Sequence, residues 1–119
     1  MGNALEIELK DSTNLVIAIT GFANKLMVPV PVFMKAAGLE RCSRIVLHDP
    51  AKTMFLAGVP GFFDSFDHML EVLKAQIARI APQRLLLVGT SGGGHTAMLL
   101  AHALKANACV VFAPYHLFK

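Results

Sequence analysis

The sequence has no tryptophan, one tyrosine and two cysteines, and after Glu71 it has no aspartate or glutamate at all. Each shortage excludes something. Cys42 and Cys109 are far apart, so neither a CxxC redox pair nor a cysteine-ligated metal site is available. Cys109 lies in an apolar run and is expected to be a small buried hydrophobe. Charged residues are scarce at 16% and hydrophobic ones abundant at 55%. That balance points to strands buried on both faces, or to apolar surface reserved for a partner. The formal net charge is +3, and Lys74, Arg79, Arg84, Lys105 and Lys119 all follow the last acidic residue. They are spread without a cluster, as on a solvated face, and give no basic patch for nucleic acid.

The N-terminal MGNALEIELKD is acidic and alternating rather than basic and then apolar, so no signal peptide is expected. The apolar window at residues 85–104 contains Ser91, three consecutive glycines and two histidines, which makes it a poor membrane span. The expectation is a cytoplasmic protein without metal or cofactor. At 119 residues the chain is one domain, large enough for a real core.

Residues 4–9 alternate Leu5, Ile7 and Leu9 against Glu6 and Glu8, the period of a half-exposed edge strand. Residues 15–20 (LVIAIT), 44–48 (RIVLH), 84–88 (RLLLV) and 108–112 (ACVVF) are apolar runs of the kind that form strands covered on both faces. Between them lie three helices. Pro29, Pro31 and Gly38 bracket a short one. The second starts at Asp64 or Ser65, carries Phe66, Met69, Leu70, Leu73, Ile77 and Ile80 on one face, and stops before Pro82. The third covers residues 92–105. Strand and helix in alternation, with apolar strands, predict a three-layer α/β fold: a mostly parallel sheet with helices on both faces.

The strand at 84–88 runs straight into Gly89-Thr90-Ser91-Gly92-Gly93. This satisfies G-x-S-x-G, in which a serine stands on a sharp strand-to-helix turn and the flanking glycines allow close packing. The same residues admit two other readings. Gly92, Gly94 and Ala97 fit the dinucleotide pattern G-x-G-x-x-A, and a helix N-terminus does bind phosphate. That pattern needs an acidic residue about 20 positions later, which this chain lacks, and no lysine follows the glycines as a phosphate-binding loop requires. The glycines also suit a non-catalytic interaction module that keeps the turn without the chemistry.

In order and spacing, LVIAITG, RIVLHDP, LLLVGTSGGG and ACVVFAP resemble the strands and nucleophile turn of the α/β-hydrolase superfamily, over nearly the whole chain. More narrowly, HDP…GVPG, GTSGGG and FAPYHLF are similar to bacterial hydrolase-like proteins related to accessory-secretion factors. The resemblance implies a serine hydrolase acting on an ester or similar acyl substrate. Ser91 would be the nucleophile, and the backbone N–H groups of Gly92 and Phe22 the oxyanion hole. Phe22, Phe62 and Phe63 would line an acyl pocket if they are not core.

The family places its acid and then its histidine after the serine. No acidic residue follows Ser91 here, so the acid and base are expected from sequence beyond these residues or from a partner, and the domain is expected to be incomplete at its C-terminus. His116 is the best in-chain base candidate. His95 suits a packing role, His102 and His68 suit the surface, and His48 with Asp49 falls two strand spacings from the serine. The apolar strand at 108–112 would form a sheet edge open to another copy of the chain.

Overall fold

A computed structural model describes residues 5–10, 12–19, 30–48, 66–90 and 92–112. The chain runs β1 (Leu5–Glu8), β2 (Asn14–Ile19), α1 (Val30–Ala36), β3 (Ser43–Leu47), α2 (Phe66–Ile80), β4 (Arg84–Thr90), α3 (Gly92–Leu104) and β5 (Ala108–Phe112). The five strands form one sheet in the order β1-β3-β2-β4-β5. All neighbours are parallel except β1, which pairs antiparallel with β3. This is the α/β architecture expected from the sequence.

Strand alternation divides the core in two. Leu15, Ile17 and Ile19 of β2, Ile45 and Leu47 of β3, and Leu85 and Leu87 of β4 face Met69 and Leu73 of α2 and Ala97 and Leu100 of α3. On the opposite face Val16, Ala18, Val46 and Val88 pack with Met34 of α1. Consecutive apolar residues in β2 are thus all buried because both faces of the strand are covered. Burying each Leu or Ile contributes about 1.5–3 kcal/mol before entropy is counted.

Each of the three helices among the described residues is followed by a residue of positive φ: Gly38 (φ 74) after α1, Ala81 (φ 50) after α2 and Lys105 (φ 55) after α3. After α1 and α3 the hydrogen bonds interlock, Leu39 N to Met34 O and Gly38 N to Lys35 O in one, Ala106 N to Ala101 O and Lys105 N to His102 O in the other. That double bond pattern closes a helix through a left-handed residue. After α2 only Ala81 N donates, to Ile77 O, because Pro82 has no N–H to offer.

One expectation fails. Cys109 is exposed rather than buried. β5 is the last strand of the sheet, so its apolar sequence lacks the cover that the same kind of sequence receives in β2. Partial burial still pushes the Cys109 thiol above its ordinary pKa, which disfavours the reactive thiolate.

Candidate active site

Chain order reverses direction at the pair β2–β4. From β2 the chain moves outward to β3, then returns to place β4 on the other side of β2. In such sheets ligands bind beyond the carboxyl ends of the strands, at the reversal. Here those ends are Ile19 and Gly89, which are register partners. The segment after β2 carries Phe22 and the connection after β4 carries Ser91. The topology thus sets the carboxyl ends of β2 and β4 side by side, on adjacent strands about 4.8 Å apart.

The second link is the shortness of the connection. β4 ends at Thr90 and α3 begins at Gly92, so Ser91 alone joins strand to helix. A nucleophile turn needs that tight passage. Gly89 is buried and sits in register between Ile19 of β2 and Val111 of β5. Gly92 and Gly93 open α3, a helix with no acidic residue in its first turn. Its leading N–H groups have no intrahelical acceptor, and the helix dipole favours negative charge there. Ser91, Phe22 and His116, with Asp49, Phe62, Phe63, Asp64 and Ser65, lie outside the described residues.

The histidines divide by position. His48 directly follows β3, which is separated from β4 by β2, and its Nε2 lies 2.6 Å from Glu6 Oε2. His102 is exposed in the last turn of α3, roughly 15 Å along the helix axis from Gly92 at 1.5 Å per residue. His68 is exposed on α2. His95 belongs to the first part of α3.

The His48–Glu6 contact is not legible in the sequence. It depends on β1 returning antiparallel to β3, which also sets Glu8 opposite Arg44. Glu8 binds Lys10 Nζ and Arg44 Nη2, each at 3.1 Å. Hydrogen bonds from Lys10 and Arg44 hold its carboxyl below the ordinary value. The alternation of Glu6 and Glu8 along an edge strand is the only signal of this that the sequence contains.

Two hollows appear at the opposite edge of the sheet. One, of about 270 Å³, is lined by Leu39, Cys42, Leu86 and Ala108 among others. The second, of about 410 Å³, lies among Lys10, Ser43 and Arg79. Both sit at the amino ends of the parallel strands, away from the carboxyl ends of β2 and β4.

No family model and no curated protein matches the sequence. Solved structures do. The capsule O-acetyltransferase of Neisseria meningitidis serogroup A aligns with 92% of this chain at 16% identity and a TM-score of 0.61, over 46% of its own length. YbtT, the type II thioesterase of the yersiniabactin pathway, aligns with 94% at 13% identity and a TM-score of 0.57, over 47% of its length. XC6422 from Xanthomonas campestris, an a/b serine hydrolase without lid, aligns with 92% at 19% identity and a TM-score of 0.56, over 55% of its length. The chain thus spans about half the length of these proteins.

Proposed function

Because the chain has the α/β-hydrolase fold, we propose that it is the nucleophile-bearing part of a serine hydrolase acting on an ester or similar acyl substrate. The observation that carries this reading is the one-residue passage from buried β4 into α3, occupied by the serine of G-T-S-G-G. The activities named for similar structures, a thioesterase, an O-acetyltransferase and a serine hydrolase, are compatible with acyl chemistry.

In this reading Ser91 Oγ loses its proton to a base and attacks the substrate carbonyl carbon. The carbonyl oxygen becomes an oxyanion, held by the N–H groups of Gly92 and Phe22. Collapse breaks the bond to the leaving alcohol, which takes the proton back from the base and leaves an acyl group on Ser91. Water, deprotonated by the same base, then releases the acid. The acid comes in this reading from further polypeptide or a partner, since no carboxylate follows Glu71, and the base from the same source, with His116 the in-chain candidate. No helix among the described residues is long and apolar enough to cross a membrane, and a cytoplasmic setting belongs to this proposal.

Intact mass after treatment with a fluorophosphonate tests the nucleophile. One adduct is expected, absent in Ser91→Ala. Folded protein that takes no label would favour the second reading, a non-catalytic module with the same turn, which the missing acid supports. Adenosine-dependent thermal stabilisation by NAD or ATP would instead restore the nucleotide reading of Gly92, Gly94 and Ala97.

A further inference from the structure

Among the described residues two polar side chains are buried, Ser43 at 2% and Thr96 at 0% exposed. A hydroxyl taken out of water needs a hydrogen bond inside the protein. Ser43 has two: its Oγ accepts from Lys10 N at 2.9 Å and donates to Lys10 O at 3.2 Å. Thr96 sits on α3 beside Ala97 and one turn before Leu100, both of which belong to the core under the sheet. In a helix a threonine hydroxyl can donate to the carbonyl three or four positions back. From Thr96 those carbonyls belong to Gly93 and Gly92.

α3 opens with Gly92, Gly93 and Gly94. Glycine is the poorest helix former after proline, and none of the three has a side chain to pack. The first turn is therefore the part of α3 with least to hold it, yet it carries the N–H of Gly92 assigned to the oxyanion. We propose that Thr96 is a positioning residue for this turn, its hydroxyl donating to the C=O of Gly92. The helical ladder already sends the N–H of Thr96 to that oxygen. Two bonds on one carbonyl fix the peptide plane between Gly92 and Gly93, and with it the aim of the neighbouring N–H groups. On an exposed helix such a back-bond slightly weakens and bends the helix. Here the hydroxyl is shielded from water, and the glycines provide no competing restraint. The positioning role rests on the hydrolase reading, whereas the hydrogen bond does not.

Hydrogen exchange and serine labelling of the full chain test the two parts separately. Thr96→Val keeps the shape and nearly the helix propensity of threonine but removes the hydroxyl. Backbone amides at positions 95–97 should then exchange about three- to tenfold faster, the magnitude of one hydrogen bond, while those at 101–104 keep their wild-type rates. Thr96→Ser should stay close to wild type. Fluorophosphonate labelling of Ser91 should slow by a similar factor in Thr96→Val and recover in Thr96→Ser. A side chain that only fills space gives the opposite order, since serine leaves a cavity and valine none. Circular dichroism reports that both variants fold. Wild-type exchange in Thr96→Val, or faster exchange in Thr96→Ser than in Thr96→Val, overturns the proposal. Altered exchange with unchanged labelling overturns the positioning role. A wild-type chain that takes no label overturns the hydrolase reading, and the exchange order still decides the Thr96 bond.

Discussion

Ile19 and Gly89 are register partners in the middle of the sheet, and each is followed within three residues by a segment of the proposed site. Phe22 comes three positions after Ile19, and Gly92 three positions after Gly89. The proposed oxyanion site draws one backbone donor from each of these segments, and the two must converge on one oxygen.

The isolated chain should nevertheless be a poor esterase. Loss of one member of a serine triad leaves mainly what binding and the oxyanion hole supply, a fall of about 10⁴ or more. Turnover of p-nitrophenyl esters is expected to be low, and unchanged in His95→Ala. Ordinary turnover that His116→Ala abolishes would show that the chain builds its own base.

Lys105 invites a stabilising change. Its φ of 55 is a conformation that costs a residue with a Cβ about 1–2 kcal/mol, and glycine is the residue helices prefer at this position. α1 already ends on Gly38. Lys105→Gly should raise the urea midpoint, with a gain of up to about 1 kcal/mol once the greater unfolded-state freedom of glycine is deducted. The reverse change, Gly38→Ala, should lower it. No atom lies within 4 Å of an added Cβ there, so backbone strain alone sets the loss.

Glu8 gives the molecule a pH dependence of known sign. Its pKa is lowered from 4.5 in the folded chain by Lys10 and Arg44. A carboxyl held low when folded stabilises the fold above its unfolded pKa. That stabilisation disappears as pH falls through the lowered folded value. Urea midpoints for wild type and Glu8→Gln should differ at neutral pH and converge in acid. The neutral-pH difference should shrink in high salt, since the carboxylate is exposed.

Much of the fold is written in local pattern. Pro31 and Gly38 bracket α1, Pro82 stops α2, and the unbroken LVIAI of β2 announces cover on both faces. ACVVF reads just as plainly as a strand, yet it does not tell how far β5 is buried. Burial depends on which neighbours a strand receives, and strand order is a non-local fact. The exposure of Cys109 follows from that order. The contact between His48 and Glu6 has the same origin, since it joins residues whose meeting depends on β1 turning back along β3. At the candidate site, the glycines around Ser91 suggest the turn, and the structure adds that β4 ends at Thr90 and α3 begins at Gly92. The acid has no legible signal in this chain because no carboxylate follows Ser91, and for the base the sequence offers only the isolated His116.

The central ladder joins β2 to β4 across a long stretch of chain, from Asn14 to Arg84 at its first pair. As the polypeptide leaves the ribosome, β1, β2 and β3 emerge long before the strand that must lie against the other side of β2. Closing so long a loop is entropically costly, and sheets dominated by such pairings form slowly. Until β4 arrives, one edge of β2 is unpaired and the apolar side chains of residues 15–19 lack part of their cover, the condition in which nascent chains aggregate. Nor can the serine turn form before β1, β2 and β3, since both its strand and the helix packed on that strand are made after them. A newly synthesised chain therefore acquires its sheet centre and its candidate nucleophile in the same event.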